Sequence, residues 1–301
     1  MMSNLLCGDV ERKDANSARN NNFLCYNSTI MARPMIPVCD YHMHTPLCGH
    51  AVGAPQEYAQ QALKAGLQEI GFSEHAPLFC YEDPKITMNI RQLPQYHRMI
   101  EDVRTQYKGK LNVKIAIEAD FLLGYEEQTR ALLQGYPYDY VIGSVHFIKD
   151  WGFDDPAKQK EWQSKDVDEV YRLYYELLRK SAESRLFDIM GHVDLVKKFG
   201  HRANADMNLE IEKTAKVFKK AEVAIEINTA GLRKPVNEIY PSLLALKIYC
   251  KAGVPLTFGS DAHTPQDVGA DFNKAIDLAK AAGYKQYVLF RQRKIEQMVR
   301  L

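Results

Sequence analysis

The sequence is poor in cysteine, and its cysteines are dispersed. Its 301 residues include six cysteines, none of them in a CxxC pair. A chain of this length can bury a core without disulfides as its framework. This distribution excludes a small disulfide-framed fold and favours a reducing, cytoplasmic location.

An excess of one charge and long apolar runs are also missing. Lys and Arg number 39 against 38 Asp and Glu, so no general positive field points to nucleic acid. No stretch approaches about 18 uninterrupted apolar residues, and the first residues lack the basic and then apolar order of a signal peptide. We therefore expect no nucleic-acid and no membrane partner, and a function that resides in one site. The oligomeric state is left open.

The first thirty-odd residues lack apolar periodicity. The stretch DANSARNNNFLCYNSTI is rich in Asn and Ser. Such a composition predicts a flexible N-terminal extension over residues 1–34, followed by one folded domain over residues 35–301. That translation begins at Met31 or Met35 is a hypothesis, and the mass of the natively expressed protein tests it.

From residue 36 onward, apolar runs alternate with helical segments. Seven runs are suited to buried strands: IPVCDYH, EIGFSEH, NVKIAIEAD, YDYVIGSVHF, FDIMGHVD, VAIEINTA and PLTFGSD. The first helical segment, APQEYAQQALKAGL, has Pro55 at its start and Gly66 near its end. Repeated βα units predict a parallel α/β sheet wrapped by helices and closed as a barrel. The only candidate for an eighth strand, YVLF at 287–290, is short, so we predict seven.

Side chains that commonly bind metals lie at or just beyond the ends of six of the seven runs. They are His42, His44, His75, Glu118, His146, His192, Asp261 and His263, and the sixth run carries no obvious ligand. The C-terminal ends of parallel strands meet on one face of a barrel, so residues far apart in the chain converge there. With His50, seven of the nine histidines belong to this face.

The spacing in the first run bears on whether these are metal ligands or ordinary histidines. A single H-x-H on a strand is more often structural. Asp40, His42 and His44 share one face of the strand, where an unpaired imidazole or carboxylate is costly to desolvate. The same alternation places Ser144 beside His146 and Asp261 beside His263. A multi-metal site is the most economical way to satisfy all these buried groups together.

Seven segments carry a resemblance to a known family. DYHMHTPLCGH, GFSEHAP, IEAD, GSVHF, GHVDL, EINTAGLRK and FGSDAHTPQDVG occur in this order over about residues 36–275. They resemble the PHP (polymerase and histidinol phosphatase) superfamily, specifically its histidinol-phosphate phosphatases. The resemblance implies a distorted (β/α)7 barrel with a trinuclear metal centre at the C-terminal face of the strands.

The resemblance also implies which residues hold the three metal ions. His42, His44, Glu118 and Asp261 would bind one metal, Glu118, His146 and His192 a second with Glu118 bridging, and His50, His75 and His263 the third. No member of the family's ligand set is substituted in this sequence. Imidazoles with a few carboxylates suit zinc, iron or manganese better than calcium or magnesium.

These ligand types support the hydrolysis of a phosphomonoester. Two such ions lower the pKa of a bridging water, and the resulting hydroxide can attack phosphorus in line without a covalent intermediate. Glu118, Asp261 and His192, as ligands of these ions, would be the catalytic residues. The resemblance implies that L-histidinol phosphate is cleaved to L-histidinol and phosphate, in histidine biosynthesis.

Further residues carry weaker signals. Arg233 follows the sixth run, where a loop guanidinium is placed to grip phosphate, and the alternative is a solvated surface arginine. Arg202 lines the mouth or contacts bulk water, and Ser144 is a third candidate for substrate contact. Asp40 either orients an imidazole by accepting its second N–H or is a satisfied core carboxylate. His97, in a helical segment, is expected to be exposed.

Other classes of protein share parts of this pattern. Amidohydrolase barrels also open with H-x-H and close with an Asp, but they commonly bridge two metals with a lysine, where this chain offers Glu118. A non-catalytic or nuclease role, of the kind PHP domains have inside polymerases, is disfavoured because the chain has no polymerase module. Within the phosphoesterases, the alternative is an enzyme for another small phosphate ester, such as a nucleotide or sugar phosphate.

Overall fold

The structure is a computed structural model that describes residues 39–80 and 82–301. These residues belong to one compact unit. The predicted extension over residues 1–34 and the two alternative start methionines lie outside the described residues, so both stay predictions.

The core of the fold is a parallel sheet. The strands of the described residues are, in chain order, β1 Cys39–Asp40, β2 Glu69–His75, β3 Asn112–Asp120, β4 Tyr140–Ser144, β5 Phe147–Ile148, β6 Trp151–Gly152, β7 Ile189–Met190, β8 Ala224–Asn228, β9 Leu256–Gly259, β10 Gln286–Arg291 and β11 Lys294–Arg300. Seven of them form one sheet in the order β1-β2-β3-β4-β7-β8-β9, and every pairing in it is parallel. Strands β5 and β6 form a small antiparallel hairpin directly after His146.

Backbone hydrogen bonds close this sheet on itself. Tyr41 N donates to the Phe258 carbonyl at 3.0 Å, and Ala262 N donates to the His42 carbonyl at 3.1 Å. The predicted seven-stranded (β/α) barrel is therefore confirmed. It is distorted, because β1 and β7 have two residues each. As a consequence His42 and His44, which were expected on the first strand, lie just beyond its end.

Helices cover the outside of the barrel. Their bounds are α1 Pro55–Ala65, α2 Leu93–Gln106, α3 Glu126–Gln134, α4 Val167–Glu183, α5 Asn208–Ala221, α6 Leu243–Ala252 and α7 Phe272–Ala282. Helix α1 begins with Pro55, as the sequence predicts, and ends at Ala65. Gly66 caps it with a φ of 82°, the left-handed conformation that glycine adopts without strain. No helix in the described part of the chain is both long and apolar enough to cross a membrane.

Helix α2 buries a histidine that the sequence places at the surface. Leu93, Tyr96, His97 and Ile100 form its buried stripe, with the spacing of one helical face. The His97 ring stacks on Tyr136, with 3.9 Å between the ring centroids and 9° between the planes. The expectation that His97 is exposed is therefore wrong, because its position in the helix turns it towards the core.

The segment YVLF belongs to a separate C-terminal hairpin in which β10 pairs antiparallel with β11. Phe290 N donates to the Tyr41 hydroxyl at 3.0 Å, and Arg293 N donates to the Asp139 carbonyl at 2.8 Å. Arg293 also binds Asp188. Asp139 and Asp188 immediately precede β4 and β7, so the hairpin lies against the N-terminal ends of the strands and leaves the C-terminal face free.

Candidate metal centre

All nine predicted metal ligands lie at the C-terminal face of the barrel. His42 and His44 follow β1, His50 lies between β1 and α1, His75 ends β2, Glu118 lies in β3, His146 follows β4, His192 follows β7, and Asp261 and His263 follow β9. The structure brings them into one continuous cluster, in which a nitrogen or oxygen of each ligand lies within 4.0 Å of a nitrogen or oxygen of another.

Glu118 is at the centre of this cluster. Its Oε1 lies 2.8 Å from His192 Nε2 and 3.7 Å from His146 Nε2. Its Oε2 lies 2.9 Å from His75 Nδ1 and 3.2 Å from His42 Nε2. The two oxygens of one carboxylate thus face two different sets of imidazoles.

Asp261 adds a second carboxylate beside the histidines that follow β1. Its Oδ1 lies 3.2 Å from His44 Nε2 and 3.9 Å from His42 Nε2. Asp261 has φ 53° and His192 has φ 22°, and positive φ is uncommon for residues other than glycine. Such conformations persist where the surrounding structure holds them, and they cluster at functional sites.

His50 and His263 form the outer part of the cluster, where their Nε2 atoms lie 2.9 Å apart. The Nδ1 of His50 is 3.0 Å from the Cys48 carbonyl, and the Nδ1 of His263 is 3.1 Å from the Asp261 carbonyl. The His263 ring also stacks on that of His44, with 4.2 Å between the centroids.

The electrostatics of the cluster favour ionised carboxylates. Burial raises the pKa of Glu118, but the opposite effect of His42, His75 and the other imidazoles is larger. The pKa of Glu118 is therefore well below its usual range. Burial also raises the pKa of Asp261, but His42 and His44 lower it by more. The pKa of Asp261 is therefore well below its usual range. The site therefore presents negative charge surrounded by imidazoles.

Several buried polar atoms of the cluster have no hydrogen-bond partner among the described residues. They are the Nε2 atoms of His42 and His44, Oε2 of Glu118 and Nδ1 of His192. Leaving such atoms unpaired in the interior costs free energy. Three of these four atoms face the centre of the cluster. Imidazole nitrogens and carboxylate oxygens are the donor set of zinc and related divalent ions, so these residues fit a metal.

Three carboxylates without a role predicted from the sequence bind the outer nitrogens of the histidine rings, and two of them, Glu226 and Glu74, are fully buried. Glu226 Oε1 lies 2.8 Å from His42 Nδ1, Glu74 Oε1 lies 3.3 Å from His44 Nδ1, and Asp120 Oδ1 lies 2.9 Å from His146 Nδ1. Glu226 lies in β8, the sixth of the predicted runs, in which no obvious ligand was found. The sequence signal that could have identified Glu226 is a carboxylate inside the otherwise apolar run VAIEINTA, because a buried carboxylate requires a partner.

The contacts of Asp40 favour the second of its two predicted roles, that of a core carboxylate, over contact with an imidazole. Its carboxylate accepts hydrogen bonds from the amides of Ser260 and Gly269, each at 2.9 Å, and from the Ser260 hydroxyl at 2.5 Å. The expected contact with an imidazole is made by Glu226 instead. Asp40 is a satisfied core carboxylate that ties β1 to the segment after β9.

All three predicted substrate-binding residues have partners within the protein. Ser144 is fully buried, and its hydroxyl donates to Glu118 Oε1 at 2.5 Å, so it contacts the central carboxylate rather than the open mouth. Arg202 is half exposed and pairs with Glu238, with 2.9 Å between Nη2 and Oε1. This pairing occupies the guanidinium that was expected at the mouth.

Arg233 lies beside the cluster, within a group of cations. Its Nη2 donates to the Ser260 carbonyl at 2.6 Å, next to Asp261 in the chain, and its Nε lies 3.4 Å from Asp267. Burial and the nearby charges of Lys198 and Arg233 lower the pKa of Lys234, while Asp261 opposes them. These cations were not grouped by the sequence analysis, because their proximity depends on two different loops.

Lys198 is bound by Asp154, with 2.9 Å between Nζ and Oδ2. Burial raises the pKa of Asp154, but Lys198 and His146 lower it by more, to about 2. The carboxylate of Asp154 therefore interacts electrostatically with His146 and His192, the ligands that follow β4 and β7.

Comparisons with known proteins agree with this geometry. The model of the PHP domain family matches residues 40–230. The chain is 42% identical over 262 residues to the "Probable histidinol-phosphatase" of Deinococcus radiodurans, covering 87% of this chain and 100% of that protein. It is 31% identical to the "Histidinol-phosphatase" of Bacillus subtilis, covering 76% of this chain and 95% of that protein.

A solved structure shows the same fold. The histidinol phosphate phosphatase of Lactococcus lactis, complexed with zinc, L-histidinol and phosphate, superposes with a TM-score of 0.75 at 25% identity. The superposition covers 86% of this chain and 98% of that structure. With the family model matching well over half of the chain and relatives above 30% identity along most of it, this chain belongs to the PHP family, among the histidinol-phosphatases.

Proposed function

We propose that this chain is a metal-dependent phosphomonoesterase that hydrolyses L-histidinol phosphate to L-histidinol and phosphate in histidine biosynthesis. The observation that carries the proposal is the convergence of seven imidazoles and two carboxylates, Glu118 and Asp261, at the C-terminal face of the barrel. The names of the relatives and the L-histidinol and phosphate in the Lactococcus lactis structure support the substrate.

The centre would hold three divalent ions of zinc, iron or manganese. His42, His44, Glu118 and Asp261 would hold the first, Glu118, His146 and His192 the second, and His50, His75 and His263 the third. The division of the Glu118 oxygens between two sets of imidazoles supports the bridging role. The facing Nε2 atoms of His50 and His263 support the third position.

When bound, such ions provide hydroxide at neutral pH and draw charge from phosphate oxygens. Glu118, Asp261 and His192 act as the catalytic ligands. Ser144 holds the Oε1 of Glu118 through its hydroxyl, which fixes the carboxylate in the orientation that faces both sets of imidazoles. Glu226 and Asp120 fix two of the rings from behind.

The chain supplies positive charge for the phosphate at the mouth. A phosphate monoester carries close to two negative charges at neutral pH, and its outward oxygen requires a cationic donor. Arg233 is the proposed anchor, because its guanidinium lies at the Ser260 carbonyl, one residue before Asp261. Lys234 and Lys198 add positive charge near the same face.

A substrate screen with metal analysis tests this function. Purified protein is assayed against amino-alcohol, nucleotide and sugar phosphates, and the metal content of the same sample is measured. We expect the highest kcat/KM for L-histidinol phosphate. Higher values for several nucleotide monophosphates would overturn the specific substrate while retaining the phosphoesterase class.

The enzyme acts on a small molecule, and we place it in the cytoplasm. Cys39 and Cys48 are buried as free thiols, which supports a reducing compartment.

A further inference from the structure

We infer that Glu226 and Glu74 are positioning residues, each of which joins the ring of one metal-binding histidine to the backbone of a second ligand from another strand. The inference rests on the proposed metal centre. These two carboxylates would fix which nitrogen of each ring faces the ions and would hold the neighbouring ligand in position.

Glu226 connects the segment after β1 to the segment after β7. Its Oε1 lies 2.8 Å from His42 Nδ1, and its Oε2 accepts from the His192 amide at 2.8 Å. Asn228, two residues along the same strand, donates to that second oxygen at 3.0 Å. One carboxylate thus bonds a ring from one strand end and a backbone amide from another.

The barrel leaves space for this carboxylate at a neighbouring glycine. A Cβ on Gly259 would lie 1.8 Å from Glu226 Oε1 and 2.6 Å from His42 Cβ. Both positions are fully buried, and glycine at 259 is what allows the glutamate to reach the ring across the barrel.

Glu74 makes the same kind of connection on the opposite side of the first strand. Its Oε1 lies 3.3 Å from His44 Nδ1 and accepts from the His75 amide at 2.9 Å. Its Oε2 accepts from the Thr45 amide at 2.8 Å and also binds the Thr45 hydroxyl. Glu74 is fully buried as well.

These contacts determine the tautomer of each ring. A carboxylate accepts the proton of Nδ1, so in the neutral ring the lone pair is on Nε2, which faces Glu118 and Asp261. The Nε2 atoms of His42 and His44 are two of the buried atoms without a hydrogen-bond partner among the described residues. Glutamate at both positions therefore orients two Nε2 atoms towards the centre of the cluster.

The two glutamates act on different subsets of ligands. Glu226 controls His42 and His192, which belong to the first and second proposed ions, whereas Glu74 controls His44 and His75, which belong to the first and third. Loss of either glutamate should weaken binding of the first ion, whereas only loss of Glu226 should weaken binding of the second.

Glu226→Gln is the main test, because glutamine has the same shape but only one acceptor oxygen. The side chain then cannot accept from both the His42 ring and the His192 amide. We expect metal affinity, measured by competition with a chelator, to fall ten- to hundred-fold. Glu74→Gln should give a loss of similar size, with the second ion retained. Anomalous scattering at each position identifies which ion is lost.

Two further variants keep the test decisive. Glu69→Gln is the matched control, since Glu69 is a buried glutamate at the opposite end of the barrel, bound to Tyr41 and Lys114. It should leave metal affinity unchanged. Gly259→Ala keeps every charge but displaces Glu226, and it should reproduce the metal loss of Glu226→Gln. Circular dichroism of the metal-free proteins checks that each variant folds. If Glu226→Gln does not fold, Glu74→Gln tests the inference by itself.

Wild-type metal affinity and occupancy in both folded glutamine variants would overturn the inference. The proposed function fails differently, namely if wild-type protein binds its metals and does not hydrolyse L-histidinol phosphate. Metal affinity is measured without any substrate, so the two failures are distinguishable.

Discussion

The Nε2 atoms of His50 and His263 face each other across 2.9 Å while each Nδ1 points at a backbone carbonyl. A carbonyl only accepts, so each Nδ1 carries the proton and both facing nitrogens present lone pairs. Burial and the neighbouring His75 and His44 lower the pKa of His50 to about 4, and burial with His44 holds the pKa of His263 well below its usual range. Neither ring is protonated at neutral pH, and a cation between the two Nε2 atoms would resolve the repulsion between their lone pairs.

We therefore predict that His50→Ala loses one metal ion per chain and retains the other two. The reason is that His50 contacts His263 but not Glu118, so the inner ligands keep their partners. Metal content by mass spectrometry of the acid-digested protein measures the change. His201→Ala is the control, because His201 stacks on Trp162 away from the cluster. Full metal content in His50→Ala would contradict the third position.

The second prediction concerns the central carboxylate. Glu118→Gln removes one negative charge that faces imidazoles on both sides, so it should abolish hydrolysis of L-histidinol phosphate and lower the occupancy of two ions together. The barrel should still fold, because the backbone of β3 pairs on both edges independently of this side chain. Activity and metal content are measured on the same sample. Retention of both would show that Glu118 does not bridge.

The ligands were predictable from sequence because each is a ring or carboxylate at the end of an apolar strand, and parallel strands bring such ends together. The roles of Glu226 and Asp40 were not predictable from the sequence. Both are buried carboxylates on strands, and only the tertiary packing decides that Glu226 reaches His42, 184 positions away, while Asp40 reaches Ser260. Strand alternation gives the face of a residue and not its partner across the barrel. Ser144 illustrates the same limit, since its alternation with His146 is local and its bond to Glu118 is not.

The third prediction concerns the proposed phosphate anchor. Arg233→Ala should lower kcat/KM for L-histidinol phosphate by roughly ten- to hundred-fold with metals retained, as expected for one charge-assisted hydrogen bond of about 1.5–3 kcal/mol. Arg233→Lys should recover only part of the loss, because an ammonium cannot make a planar bidentate contact. Steady-state kinetics with metal analysis measures both.

Arg202→Ala is the matched control for this anchor, because Arg202 is bound to Glu238 and half exposed. It should change kcat/KM by less than the Arg233 substitution. Wild-type kcat/KM in Arg233→Ala would place the anchor elsewhere, and Lys234 and Lys198 would be the next residues to substitute.

The fourth prediction concerns stability at mildly acidic pH. Burial and the charge of Arg104 lower the pKa of His97 to about 4, below the ordinary value of 6.5. The unfolded chain therefore binds a proton at His97 between about pH 6.5 and pH 4, and the folded chain does not. By linkage the contribution of this neutral ring to stability is fully present above pH 6.5 and is lost as the pH falls towards 4, by at most about 3 kcal/mol.

His97→Phe keeps an aromatic ring against Tyr136 and removes the titration, so its free energy of unfolding should fall less steeply than that of the wild type between pH 6.5 and pH 5. Denaturant unfolding at a series of pH values measures the two slopes. The metal ligands titrate in both proteins, so the difference between the slopes isolates His97. Parallel slopes would mean that the ring is protonated in the folded protein as readily as in the unfolded chain, which the packing of α2 against Tyr136 argues against.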